Sequence, residues 1–254
     1  MKFRTLQWLL VLLLVFPARV AFAAGDDAEK SATADRAATP APSAEADKSK
    51  DLAAEVEALK TELEAVKKQA QNAEDYVAIS NLQTAYGYYV DKAKWDEVSD
   101  LFTKDATLEI GLRGVYKGQD RVRAYMHSLP DLKYGSVFNH MQLQPKIDIA
   151  PDGITAFGRW RAIIQVGQLN GRAQWGEATY ENVYAKEDGV WKIKKLHAYF
   201  TYYIDFYKGW DKGGDPPPGP IPGLPPDEPT TEVYKMYPDV YVPPYHYKNP
   251  VTGK

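Results

Sequence analysis

The chain has 254 residues, no cysteine and a formal net charge of −3. Without cysteine it has no disulfides and no thiolate chemistry, and a mildly acidic chain lacking a basic stripe is a poor partner for nucleic acid. Its histidines, His127, His140, His197 and His246, stand at no metal-binding spacing. No metal site or cofactor is therefore expected.

Residues 1–23 read as a signal peptide. Lys2 and Arg4 supply positive charge, Leu6 to Phe16 is apolar, and Ala21-Phe22-Ala23 is the small-x-small pattern of a cleavage site. The apolar run is shorter than the ~20 residues of a membrane-spanning helix. Removing Lys2, Arg4 and Arg19 takes the remaining chain to −6 (−3 minus 3). The expected product is exported, periplasmic and without a stable membrane span after cleavage. Residues 24–50 are rich in Ala, Asp, Glu, Lys, Ser and Pro and have no aromatic side chain, so a disordered tether is expected there.

Residues 51–74 form a coiled-coil-like helix. Leu52, Val56, Leu59, Leu63 and Val66 recur at intervals of four and three, and Ala70 and Ala73 continue the register. The seam implies self-association; a solvated spacer helix is the plainer reading.

A globular α+β domain is expected over 75–210. Ile79, Leu82, Tyr86 and Val90 form one apolar helical stripe. A second, short helix is read from Trp95 to Phe102, a strand over Ala106 to Ile110, a short extended piece at Val115-Tyr116 and a third helix over Gln119 to Ser128. The period then changes to two. Strands are expected near Phe138–Ile149, Ile154–Val166, Arg172–Lys186 and Val190–Tyr203. They are separated by Pro151-Asp152-Gly153, Asn170-Gly171 and Asp188-Gly189, turn sequences that favour hairpins. About three helices would thus pack on one face of a strongly curved mixed or antiparallel sheet, making a cone with a pocket inside. By alternation His140 shares a strand face with Gln142 and Gln144, opposite Met141, Leu143, Ile147 and Ile149, whose face is expected to be the core side. Beyond Trp210 lies a Pro/Tyr-rich tail, residues 211–254, with 12 of the 18 prolines between Pro216 and Pro250. It cannot add a sheet layer, and its apolar side chains suggest that it docks over the mouth of the cone.

From Ala78 to about Trp210 the chain resembles the SnoaL-like domain of the nuclear transport factor 2-like superfamily, whose members include dehydrochlorinases, scytalone dehydratase and polyketide cyclases. The resemblance rests on Ala78-Ile79-Ser80-Asn81-Leu82, Val90-Asp91-Lys92, Tyr116-Lys117-Gly118, Asn139-His140, Thr179-Tyr180-Glu181-Asn182-Val183-Tyr184 and Asp188-Gly189-Val190-Trp191-Lys192-Ile193. It implies that Asp91 and His140 pair in the pocket, with the imidazole as base and the carboxylate orienting it and raising its basicity. It also implies that such domains pair through their sheets. Where dehydrochlorinases place cations for the departing chloride, this chain has Tyr86 and Leu196. A phenol at Tyr86 resembles the dehydratase branch instead. The substrate-contacting set is completed by Tyr89, Tyr180, Asn182 and His197, although His197 also reads as a structural histidine. Arg159 and Arg161 flank Trp160 and face water by alternation.

Two functions follow from this reading. One is a cofactor-independent lyase or isomerase of the dehydratase kind, acting on a small hydrophobic molecule through Asp91 and His140. The other is a non-catalytic periplasmic small-molecule-binding or assembly module. Both are compatible with a homo-oligomer.

Overall fold

The computed structural model describes residues 42–254. The signal peptide, 1–23, and the first part of the tether, 24–41, lie outside the described residues. Helix α1 runs from Pro42 to Asp91, α2 from Trp95 to Asp100 and α3 from Gln119 to His127. The strands are β1 Phe102–Ile110, β2 Val115–Lys117, β3 Ser136–Ile149, β4 Thr155–Gln168, β5 Ala173–Glu187 and β6 Val190–Asp205. Every element expected between Trp95 and Tyr203 is present, with ends shifted by a few residues.

The N-terminal part differs from expectation. Residues 42–50, assigned to the tether, are helical, and the heptad segment and the first domain helix form one continuous α1. Between Pro42 and Gly87 no Pro or Gly interrupts the run, which is dominated by Ala, Glu, Lys, Leu and Gln, all good helix formers. Pro42 itself is tolerated because a first-turn residue has no intrahelical N–H bond to lose. From Asp75 onward one stripe is buried: Asp75, Ile79, Gln83, Tyr86 and Val90. Before it, the heptad side chains are bare, Leu59 at 57% and Leu63 at 52% exposure.

The six strands form one sheet in the order β2-β1-β6-β5-β4-β3. β3 to β6 are an antiparallel meander, and β1 joins β6 in parallel. Asp188 and Gly189 both have positive φ, 54° and 79°, as a type I′ turn requires. The inner face carries Leu108, Trp160, Ile164, Tyr180, Tyr184, Ile193 and Leu196, which pack with Ile79, Tyr86, Trp95, Val98, Val122 and Tyr125 of the helices in one core.

Strict alternation fails on β3. Leu143 pairs with Arg161 and Lys146 with Arg159, so three steps on β3 face two on β4. This bulge, at Gln144 with φ 53°, shifts the alternation by one residue. Ile147 and Ile149 therefore turn inward on the same side as His140 and Gln142. Met141 and Leu143, expected in the core, are on the outer face and exposed.

The tail is ordered along its path. Asp215 donates its N–H to the Tyr203 carbonyl (2.7 Å). Further on, Val115 N–H bonds Glu228 O at the β2 edge (2.9 Å), and Tyr237 N–H bonds Thr201 O (2.8 Å). Tyr241 stacks on both Tyr234 and Tyr199, and Tyr234 meets Tyr199 at a tilt, on the outer face of β6. His246 bridges Glu181 (2.8 Å) and Asp148 (3.0 Å), and Arg159, paired with the same Glu181, lies under Tyr245. Only the start of the tail meets the inner cavity; most of it crosses the opposite face of the sheet.

Candidate functional site

Between the helices and the inner face of the sheet is a cavity of about 540 Å³, within the 300–1,000 Å³ typical of small-molecule sites. Its walls are largely apolar, including Val90, Ile110, Met126, Ile164, Val166 and Phe200. Its polar lining includes Tyr86, Tyr125, His140, Tyr180, Tyr203 and Arg113.

Gly87 is buried on α1 where the helix crosses β3. A Cβ there would sit 3.0 Å from both the His140 carbonyl and the Gln142 side chain, so any larger residue would push α1 and β3 apart by a few tenths of an ångström. One helical turn on, Asp91 reaches the same strand. Its carboxylate accepts the backbone N–H of His140. The expected contact between this carboxylate and the imidazole is not formed. Strand geometry explains why: the N–H lies along the sheet edge facing α1, whereas the ring projects at right angles to it, into the cavity. Burial raises the Asp91 carboxyl, opposed by the His140 N–H and by Lys92.

The His140 ring packs on Phe138 with centroids 4.6 Å apart, and Phe138 meets Trp95 edge-on. The imidazole Nδ1 is buried with no hydrogen-bond partner among the described residues. With no anion beside the ring, burial alone acts and pushes its pKa down to about 4. The imidazole is therefore neutral at pH 7 and less basic than a free one, the reverse of the expected increase.

Tyr86 and Tyr180 line the cavity as expected, 6.3 Å apart in a T-shaped pair. Burial raises Tyr86 well above its usual value and pushes Tyr180 up to about 12. Both phenols thus remain protonated donors.

Three expected substrate contacts lie elsewhere. Tyr89, on the outward side of α1, is 37% exposed and lines no part of the cavity. Asn182 points inward, two residues beyond Tyr180, but α1 closes over it. Its amide donates to Gln83 Oε1 (3.0 Å), which also accepts the Tyr184 hydroxyl (2.7 Å), while Gln83 donates to Gln142 Oε1 (2.9 Å). This buried amide–phenol network ties α1 to β3 and β5. His197 faces the other side of the sheet. Leu196 and Ala198 take the inward positions, so His197 lies beneath the tail, stacked on Tyr199 and 3.6 Å from Glu109. Burial pushes it, too, down to about 4.

Two features were missed from the sequence. Arg113, in the turn between β1 and β2, lies on the cavity wall and donates to the Tyr125 hydroxyl. Its only cue was the flanking pair Gly111 and Gly114. The Glu109 carboxylate, buried on the outer face, accepts Thr231 N–H, Thr231 Oγ1 and Thr230 Oγ1, each at 2.7 Å; nothing local in the sequence joins positions more than 120 residues apart.

Residues 71–197 match the family profile of the SnoaL-like domain. Similar solved structures include a protein assigned as a scytalone dehydratase from Novosphingobium aromaticivorans, 19% identical over 54% of this chain and 91% of that one, with a TM-score of 0.49. A hexachlorocyclohexane dehydrochlorinase from Novosphingobium barchaimii is 18% identical over 54% and 94% of the two chains, TM-score 0.48. An NTF2-like protein with a cystatin-like fold from Novosphingobium aromaticivorans is 13% identical over 53% and 87%, TM-score 0.46.

Proposed function

The chain belongs to the SnoaL-like domain family, and we propose that its cavity performs cofactor-independent proton transfer on a small hydrophobic molecule, as a lyase or isomerase of the dehydratase kind. The observation that carries this reading is one largely apolar cavity lined by a neutral His140 imidazole and by two protonated phenols, Tyr86 and Tyr180. A carbon acid next to a carbonyl would give its proton to His140. The C–H electron pair would move to the carbonyl oxygen, where a Tyr86 or Tyr180 hydroxyl stabilises the oxyanion. Return of the proton to a β-hydroxyl then releases water; return to carbon at another position isomerises the substrate. Asp91 is a positioning residue in this scheme, fixing the strand that carries the base and not the ring itself.

The assay is exchange of the α-hydrogens of α-tetralone in heavy water, followed by proton NMR. The protein should accelerate exchange, and His140→Gln should return it to the buffer rate. The rate should stay level from neutrality downward and fall only as pH approaches about 4, where the imidazole becomes protonated. No acceleration by the wild-type protein would refute the proton-transfer reading.

The bare Nδ1 favours a second reading, because a histidine without a carboxylate partner is a weaker base. In it the cavity binds a hydrophobic molecule without turning it over. Tetralone binding without exchange is its signature. In either case we infer export to the periplasm with cleavage after Ala23, which N-terminal sequencing of the secreted chain tests, and self-association through the exposed heptad seam of α1.

A further inference from the structure

We propose that the cavity is built for a hydrophobic acid, whose carboxylate is held by Arg113 and Tyr125. This rests on the cavity being the functional site, but not on proton transfer.

Three observations support the assignment. First, the charges on the cavity wall are unequally matched. Arg172 is bound to Asp215 (2.6 Å), which also receives Gln174; Asp131 and Lys133 sit exposed at the rim. Arg113 is half-buried and has no carboxylate partner among the described residues. Its side-chain hydrogen bond goes to the Tyr125 phenol, whose ring lies 5.7 Å from the guanidinium carbon. A guanidinium keeps its charge at any physiological pH, and partial desolvation without an anion is unfavourable. A ligand carboxylate would supply the missing anion through paired N–H donors.

Second, Tyr125 is arranged to help. It is fully buried, and its oxygen already accepts from Arg113, so its hydroxyl hydrogen is available to a second acceptor. Burial raises its pKa, against the lowering effect of Arg113, so the hydroxyl stays a donor at neutral pH. Arg113 and Tyr125 thus present two kinds of donor to one anion.

Third, the tail holds the turn that carries Arg113. Gly111, with φ 61°, has no room for a Cβ because Phe200 lies 2.9 Å and Pro218 3.4 Å from that position. At Gly114, with φ 85°, a Cβ would meet the Pro226 ring at 2.5 Å. The turn that carries Arg113 is therefore packed against β6 and the tail, not left as a free loop. Arg113 and His140 line the same cavity, so an acid anchored at Arg113 lays its apolar body against the cavity walls that His140 shares.

The test is isothermal titration calorimetry of the full chain with naphthoate and with naphthamide, which share shape and differ in charge. Naphthoate should bind the wild type about ten-fold or more tightly than the amide, ~1.4 kcal/mol or more. Arg113→Gln should remove the difference by weakening the acid alone. Tyr125→Phe, which keeps the ring packing, should reduce the difference without removing it. Equal affinities in the wild type, an undiminished acid preference in Arg113→Gln, or failure of both compounds to bind would each overturn the assignment. Should Arg113→Gln not fold, the wild-type pair and Tyr125→Phe decide. An acid preference without tetralone exchange leaves this assignment standing and removes the lyase reading; exchange without an acid preference does the reverse.

Discussion

The environment of His140 sets a measurable pH dependence. Its pKa is held at about 4 against an ordinary 6.5, with burial as the cause. Below pH 6.5 the unfolded chain takes up a proton that the folded chain refuses. The stability contributed by neutral His140 is thus fully present above 6.5, falls by ~1.4 kcal/mol per pH unit towards 4, and changes no further below that. The full loss is about 3 kcal/mol. His197, buried beneath the tail and also pushed down to about 4, acts in the same direction, so His140→Gln should reduce the slope by roughly half. Urea unfolding from neutrality to about pH 5 measures the slope, and NMR of the imidazole Cε1 proton measures the midpoint directly. Asp91→Asn should leave that midpoint unmoved, because the carboxylate meets the His140 backbone and not its ring. Asp91→Ala should instead destabilise the fold by ~1–3 kcal/mol, since it strips a part-buried N–H of its acceptor. A His140 midpoint at or above 6.5 that falls in Asp91→Asn would show that ring and carboxylate interact, and the argument from burial would fail.

Thr231→Val keeps the Thr231 N–H on Glu109 but removes one hydroxyl from the buried carboxylate; urea unfolding should show a loss of ~1.5–3 kcal/mol. Gly87→Ala sets a methyl 3.0 Å from the His140 carbonyl and should destabilise by ~1–3 kcal/mol through separation of α1 from β3, read as a lower thermal midpoint by circular dichroism. Charging the bare α1 seam with Leu59→Glu and Leu63→Glu should convert an associating chain to a monomer in light scattering, with the circular dichroism spectrum of the domain kept because neither side chain packs on its core, and with a lower thermal midpoint as the association is lost; a wild-type monomer would make the seam a spacer.

The order and kind of elements from α2 to β6 were legible because each carries its own local signal. Asp188-Gly189 announces its hairpin through positive φ, and the buried positions on α1 repeat at helical spacing. The side facing of β3 was legible only as far as its bulge. A period-two reading has no means of anticipating an extra residue at Gln144, so Met141 and Leu143 were assigned to the core and are exposed. The site was partly legible: Tyr86, His140 and Tyr180 do face one cavity. Asp91 was placed beside the correct strand, but which atom it meets depends on how closely α1 approaches, and that is set by Gly87. Asn182 and His197 both lie on strands that border the site, and alternation alone does not say where α1 seals the inner face or where the tail seals the outer one.

The tail links these findings. A Pro/Tyr-rich chain that cannot form another sheet layer instead packs Tyr234 and Tyr241 against Tyr199 and supplies two threonines to Glu109. Glu109 and His197 are buried groups on an outer sheet face that would otherwise be open to water. A buried carboxylate is tolerable only with such donors, so the composition of β1 and the presence of the tail explain each other. The same strap presses on Gly111 and Gly114 and holds Arg113 at the cavity wall. It also occupies the outer face of β6 and part of β4 and β5, which limits pairing of two copies through that region unless the tail is displaced. The self-association proposed above would then have to use surfaces the tail leaves bare, and the heptad side chains of α1 are the most regular of these.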